Sequence, residues 1–336
     1  MKPPAFWTQK PKSPLGAIAK AALTPLSGLY AWAGARRIAA TEPETVDPAV
    51  ICIGNLTLGG TGKTPIAIAA LDWLNDNGIS AHAVTRGYGG SLRGPVRIRL
   101  AKHTVRETGD EPRLLARTAS TWISPDRVFG ARQAAASGAK AVVLDDGFQN
   151  PSLAKDLSIL VIDGEAGWGN GLVFPAGPLR EPVSRGLARA DAIIVMTGSG
   201  DVQPDLESLG LSDLEIPVLT AWLKPTGALP EGPLLAFAGI GRPQKFFDSL
   251  VQAGAQLVDT RSFADHHPYS KSEITELLEL ASAHGASLIT TEKDWVRIDA
   301  DQQGDVAVWP VRARFSEPVR FTDLLQDAMD AASQRR

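Results

Sequence analysis

The chain is 336 residues long, 44% hydrophobic and 21% charged, with a formal charge of −3. That length exceeds one small module and fits two domains or one enlarged α/β domain, and the composition excludes disorder and collagen-like order. A single cysteine, Cys52, excludes an internal disulfide and a Cys-rich metal cluster, and the slightly negative charge gives no sign of a nucleic-acid partner.

Charge is uneven along the chain. Lys2, Lys10, Lys12, Lys20, Arg36 and Arg37 all precede the first acid, Glu42, so a basic head joins an acidic body. Such a head points to an anionic partner. Residues 13–35 read as a helix. Leu15, Ile18, Ala22, Leu26, Leu29 and Ala33 recur at steps of three and four on one face, which Leu23, Tyr30 and Trp32 broaden, with Phe6 and Trp7 ahead of it. The uncharged run from Ala21 to Ala35 is fifteen residues. A spanning helix needs about 20, and Pro25 and Gly28 interrupt this one. Ala33-Gly34-Ala35 is similar to a signal-peptide cleavage site, but Arg36-Arg37 follows at once. Two readings stand: an interfacial amphipathic helix on an anionic membrane surface, or a helix packed on the protein's own core.

The run Ala49 to Ile53 has the pattern of a buried parallel strand. It leads into Gly54-Asn-Leu-Thr-Leu-Gly-Gly-Thr-Gly-Lys-Thr-Pro65, after which Ile66 to Asn77 has helical spacing, with Pro65 suited to the first turn and Asn77-Gly78 to the close. Strand, glycine loop and helix make the context of a phosphate-binding loop. Backbone amides from Gly59 to Gly62 and the helix N-terminus would face phosphate oxygens, Lys63 would reach the β- and γ-phosphates, and Thr64 would hold Mg²⁺. Thr57 stands where the first glycine of such loops is usual.

Ala81 to Thr85 is a second strand. Arg86-Gly-Tyr-Gly-Gly90 follows it and leaves Tyr88 exposed between glycines, with Arg86 available to a phosphate. Gly109-Asp-Glu-Pro112 reads as a turn entering a helix, or as a carboxylate pair able to take a hydroxyl proton. Lys140 to Leu144 is a strand pattern ending on Asp145 and Asp146, the arrangement in which one acid holds a metal beside a phosphate loop. Arg180 lies in the proline-rich Pro175-Ala-Gly-Pro-Leu-Arg-Glu-Pro182, where a guanidinium could clamp an anion. Leu157 to Ile162 and Ala192 to Met196 add strands, so the first sheet has five or more. Residues 201–216 are loop-rich and acidic. From Val218 the chain restarts, with strands at Val218 to Trp222, Leu234 to Ile240, Leu257 to Asp259 and Ser287 to Thr290. Helices alternate with them at Gln244–Ala253 and Ser270–His284, and a last helix runs from Thr322 to Ala332. Asp265-His266-His267 does not have metal-ligand spacing and reads better as a proton-handling group.

These motifs together, with Thr290-Thr-Glu-Lys-Asp-Trp-Val-Arg297, resemble the tetraacyldisaccharide 4'-kinase (lipid A 4'-kinase) family, in order over residues 49–297. The family's loop commonly carries Ser or Thr where this chain has Thr57. The resemblance implies transfer of the γ-phosphate of ATP, with Mg²⁺, to the 4'-hydroxyl of a lipid A disaccharide 1-phosphate precursor, giving lipid IV-A. It implies a peripheral protein on the cytoplasmic face of the inner membrane, docked by its N-terminal helix, with no protein partner evident. The implied fold is α/β: a P-loop-type three-layer α/β/α domain over residues 38–216, a second smaller α/β domain over 217–336 closing a cleft, and a membrane-associated segment over 1–37. The implied nucleotide site is Thr57, Leu58, Gly59, Gly60, Thr61, Gly62, Lys63 and Thr64, and the implied metal set is Thr64, Asp145, Asp146 and Glu111. Lys63 and Asp110 are implied to be catalytic. The resemblance implies that Asp110 is the base, assisted by His266, with His267 in reserve. Tyr88, Gln149 and Arg180 match positions lining the cleft. Many members carry His after the Asp-Asp-Gly-Phe/Leu-Gln stretch, and this chain has Asn150. The Thr290–Arg297 stretch has no evident physical role; it could approach the nucleotide or tie the second domain together.

Overall fold

A computed structural model describes residues 4–7 and 14–335. Lys2, Lys10, Lys12 and Ser13 lie outside the described residues, as does the side chain of Leu15. The described residues form thirteen strands: β1 (Ala49–Gly54), β2 (Ala81–Thr85), β3 (Val96–Arg97), β4 (Ser120–Ile123), β5 (Ala141–Asp145), β6 (Leu157–Asp163), β7 (Ala192–Thr197), β8 (Val218–Pro225), β9 (Pro233–Ala238), β10 (Gln256–Ser262), β11 (Ser287–Thr291), β12 (Ala307–Trp309) and β13 (Val311–Phe315).

Nine of them form one sheet in the order β13-β8-β7-β6-β1-β5-β2-β4-β3, parallel except at its two edges. Its central strands are apolar on both faces, which a parallel sheet needs because helices cover both sides. Ile51, Ile53, Val143 and Ile194 pack toward the Lys63–Asp76 and Pro318–Gln334 helices. Val50, Cys52, Leu144 and Val195 point the other way, toward Val128, Ala131 and Ala134 of the Arg127–Ala136 helix. The three-layer α/β/α expectation is met. The second sheet, β10-β9-β11-β12, is wholly parallel. Leu235 and Phe237 bury against the Lys271–Ala283 helix, and Leu234, Ala236 and Ala238 against the Pro243–Gln252 helix.

The boundary expected at residue 217 is displaced. β8, read from the sequence as the first strand of the second unit, pairs in parallel with β7 in the large sheet. β13 returns to the same sheet antiparallel to β8, and the C-terminal helix packs Phe321, Leu325 and Ala328 on its core. The second sheet is thus an excursion between β8 and β13. A strand pattern reports burial but not which neighbour supplies it, so periodicity could not place β8.

The N-terminal helix runs from Pro14 to Ala40, past the expected end at Ala35 and the segment end at 37. Nothing in Ala35 to Ala40 breaks a helix. It turns Leu23, Ser27, Ala31 and Ile38 toward the body, with Ser27 buried. Ser27 accepts a hydrogen bond from the Ala176 amide, and Tyr30 meets Phe174 edge-on, 5.5 Å between ring centres. The opposite side carries the rest of the apolar stripe read from the sequence, without Leu23 and Tyr30: Ile18 is 66% exposed, Leu29 60% and Trp32 56%. No helix among the described residues is long and apolar enough to cross a membrane.

Candidate active site

Both sheets bring their site residues from the carboxyl ends of parallel strands, where ligands gather in open α/β folds. In the large sheet, β1 ends in the glycine loop and β5 in Asp145. Gly62, at φ 87°, turns the loop into the helix that starts at Lys63, and a Cβ there would press on Met196. Leu58, Gly59 and Gly60 are exposed while Thr61 and Thr64 are buried, as a cradle open on one side requires. Thr57 needs no glycine-like backbone. It bridges to Leu179 in antiparallel fashion, and its carbonyl accepts from Asn55 Nδ2 at 2.8 Å. Leu58 N donates to Pro178 O at 2.7 Å and Arg180 N to Leu56 O at 2.6 Å, so the proline-rich loop is laced to the phosphate loop along its length.

Thr64 Oγ1 donates to Asp145 Oδ2 at 3.1 Å. Burial, then the negative charge of Glu111, pushes the Asp145 carboxyl up to about 7 against the opposing pull of Lys63. Asp145 Oδ1 and Thr61 Oγ1 are buried with no hydrogen-bond partner. Such orphaned atoms call for a ligand or an ion. Asp146 is differently placed. Its Oδ1 lies 2.8 Å from Arg180 Nη1 and 3.6 Å from Lys63 Nζ. Burial would raise this carboxyl, but Lys63 and Arg180 outweigh it and hold the pKa low. Gln149 acts as a strut, donating to Asn55 O at 2.8 Å and Glu181 Oε1 at 3.1 Å. The Asn150 side chain accepts from Ser152 N and Oγ, capping its own turn.

Asp110 opens the Asp110–Thr118 helix after Gly109, whose φ of 82° and contact with Tyr88 O leave no room for a Cβ. This packing sets the Tyr88 loop against the start of that helix, with the Tyr88 side chain exposed. His266 comes from the second sheet, after β10, and places Nδ1 3.0 Å from Asp110 Oδ2. His267 instead bonds Glu273 at 2.9 Å and stacks on Phe263, which separates the two histidines. Arg297, after β11, donates from Nε to Asp110 Oδ2 at 3.1 Å and also from Nη2. Burial would raise the Asp110 carboxyl. The His266 hydrogen bond and the charges of Lys293 and Arg297 outweigh it and hold the group well below the usual carboxylate range. Glu111 lies 3.7 Å from Lys293 Nζ. Asp146 and His266 are the two non-glycine residues with positive φ among those described. Backbone of that kind concentrates at working sites.

Sequence reasoning brought Lys63, Thr64, Asp145, Asp146, Gln149 and Arg180 to one place, and Asp110 with His266 to another beside it. It missed Arg297 and Asp294. Their signal was present: charged residues immediately following a buried strand, in the stretch that had no physical role. Magnesium fits Thr64 and Asp145 best, since Asp146 and Glu111 already face cations. Among the described residues no three His, Cys, Asp or Glu side chains gather to hold a metal alone. Mg²⁺ does not need them, because it takes one or two carboxylates with phosphate oxygens and water.

The LpxK family profile, tetraacyldisaccharide-1-P 4'-kinase, matches residues 19–330. The chain is 52% identical over 332 residues to the tetraacyldisaccharide 4'-kinase of Maricaulis maris, covering 98% of this chain and 97% of that protein. It is 48% identical to that of Dinoroseobacter shibae over the full length of both and 47% identical to that of Caulobacter vibrioides over 96% and 97%. A crystal structure of LpxK from Aquifex aeolicus in complex with ATP superposes with a TM-score of 0.74 at 24% identity, covering 93% of this chain and 99% of that one.

Proposed function

This chain belongs to the tetraacyldisaccharide 4'-kinase family, and from that premise we infer that it transfers the γ-phosphate of ATP to the 4'-hydroxyl of tetraacyldisaccharide 1-phosphate, forming lipid IV-A. The observation that carries the reading is the open cradle from Leu58 to Gly60 ending on Thr64, whose hydroxyl rests on the buried Asp145.

The residues divide the work. Amides of the loop and the ammonium of Lys63 bind the triphosphate and neutralise charge as the phosphoryl group moves, and positioning supplies most of the acceleration. Asp146 holds Lys63 and Arg180 at the rim. Thr64 and Asp145 would hold Mg²⁺, which when bound offsets the negative charge of the phosphates. Asp110, ionised throughout the neutral range, accepts the proton of the 4'-hydroxyl, and His266 holds that carboxylate from the other side. Tyr88 and Arg180 border the space for the disaccharide.

The N-terminal helix docks the protein on the cytoplasmic face of the inner membrane. The support is the outward stripe of Ile18, Leu26, Leu29 and Trp32, with Arg36 beside Trp32 at 5.7 Å from its ring. Apolar contact with cationic flanks is the pattern of an interfacial helix. Docking there brings the site to a substrate whose acyl chains stay in the bilayer. The direct test is ATP-dependent phosphorylation of the disaccharide 1-phosphate by purified protein. Product carrying a new 4'-phosphate supports the reading, and ATP hydrolysis without a phosphorylated lipid overturns it.

A further inference from the structure

We propose that Arg297 is a positioning residue for phosphoryl transfer, anchoring Oδ2 of Asp110 so that Oδ1 is the oxygen left to take the acceptor's proton. The proposal rests on Asp110 being the proton acceptor.

The geometry divides the two carboxylate oxygens. Oδ2 receives Nε and Nη2 of Arg297 and faces Nδ1 of His266. Among the described residues Oδ1 accepts only the Glu111 amide, at 3.1 Å, and retains capacity for a hydroxyl. The guanidinium is itself immobilised. The Arg297 side chain is 4% exposed, and its Nη1 donates to Gly239 O and Asp294 Oδ1, each at 2.9 Å. Asp294 is fully buried and accepts from the Gly239 amide, Tyr269 OH and Thr291 Oγ1. A frame built on the ends of β9 and β11 therefore fixes the orientation of one carboxylate in the other unit.

A merely structural ion pair would be complete without Asp110. Asp294, three residues before Arg297, already neutralises the guanidinium within the same segment. The second side of the guanidinium instead reaches 187 residues back along the chain, to the oxygen that His266 also holds. A planar guanidinium can serve two carboxylates in fixed directions, and an ammonium cannot. The phosphate loop and its partners Asp145, Asp146 and Arg180 belong to the large-sheet unit, so Arg297 acts on the acceptor end alone.

The test is steady-state kinetics of the full chain with ATP and tetraacyldisaccharide 1-phosphate. Arg297→Met should lower kcat about 10²-fold, the usual effect of a reacting group displaced by about 1 Å, with KM for ATP within about twofold of wild type. Arg297→Lys should fall between the two. Arg297→Ala should regain activity when guanidinium ion is added at millimolar concentration, which a fold defect would not do. A wild-type kcat in Arg297→Met or Arg297→Lys, or no guanidinium rescue of Arg297→Ala, overturns the proposal. Asp110→Asn separates it from the underlying reading. Retained turnover in Asp110→Asn removes Asp110 as proton acceptor, whereas an inactive Asp110→Asn beside a wild-type-like Arg297→Met removes only the positioning role.

Discussion

The phosphate loop and its acidic partners come from one sheet and its connections, whereas Asp110 is held by residues 156 and 187 positions later, from the ends of the other sheet. Thr64, Lys63, Asp145, Asp146 and Arg180 are in contact with one another without any help from the second unit. The acceptor end exists only where the two units meet. It follows that damage at the first end should weaken nucleotide binding and turnover together, and damage at the second should spare binding.

The largest effect expected is at the acceptor end. Asp110→Asn removes the proposed proton acceptor and should lower turnover by about 10²–10⁴-fold, the range for general base catalysis, while calorimetric ATP affinity stays within about twofold. A matching loss of ATP affinity would erase the distinction between the ends. Lys63→Ala comes next, with turnover down by about 10²–10³-fold, as for removal of a charge-stabilising donor. Here ATP affinity should fall as well, because the proposed role has the ammonium facing the phosphates in the ground state too.

The same contrast explains what could be read from the sequence. The glycine loop was legible because one continuous stretch carries strand, turn and helix start, and each residue's role follows from its neighbours. Asp145 and Asp146 were legible as a pair at a strand end, but their division of labour was not. Asp146 turns to Lys63 and Arg180 through a left-handed backbone that no periodicity reveals. Arg297 could be noticed as a charge after a buried strand, but its partner could not be read. Its partner is 187 residues away, and long-range ion pairs leave no local pattern. The sheet boundary failed likewise, since β8 looks the same in either sheet. Gln149 was matched to the lining of the cleft, and Asn150 stands where many members carry His. The one braces the loop beneath it and the other caps a turn, roles that depend on a Glu181 or Ser152 being in reach.

The two carboxylates also differ in what they cost the fold. Asp145 has its pKa raised from 3.8 to about 7 by burial and by Glu111. In the unfolded chain it loses its proton near the ordinary value, so its contribution to stability is full below about pH 4 and is lost as pH rises toward 7. Asp145→Asn cannot ionise. Without nucleotide or divalent cation it should match the wild type near pH 4 and exceed it at pH 8 by on the order of 2–4 kcal/mol, as read from urea melts. Asp110 has the opposite sign. Its depressed pKa stabilises the fold above the ordinary carboxylate value and ceases to do so in acid, so Asp110→Asn should cost stability at pH 8. Equal pH dependence in the two variants would mean that the ends do not differ electrostatically.

The smallest effect on chemistry is expected from the outer face of the N-terminal helix, which touches neither end. Leu29 and Trp32 point away from the body, so Leu29→Ser with Trp32→Ser removes only the exposed Arg36–Trp32 contact within the helix and should leave thermal stability within about 0.5 kcal/mol. If that face meets lipid, partition onto anionic vesicles should drop about tenfold or more, two large apolar groups having lost their burial. Turnover on vesicle-borne substrate should then fall a few-fold. Turnover on detergent-dispersed substrate should hold, because neither the cradle nor Asp110 has changed. Ala31 supplies the control, since it packs on the core beneath the same helix. Ala31→Asp sets a half-buried charge against that apolar contact and should lower folding stability in every assay. Loss of stability from the outer pair, or vesicle binding that ignores it, would return the helix to the reading in which it is simply part of the core.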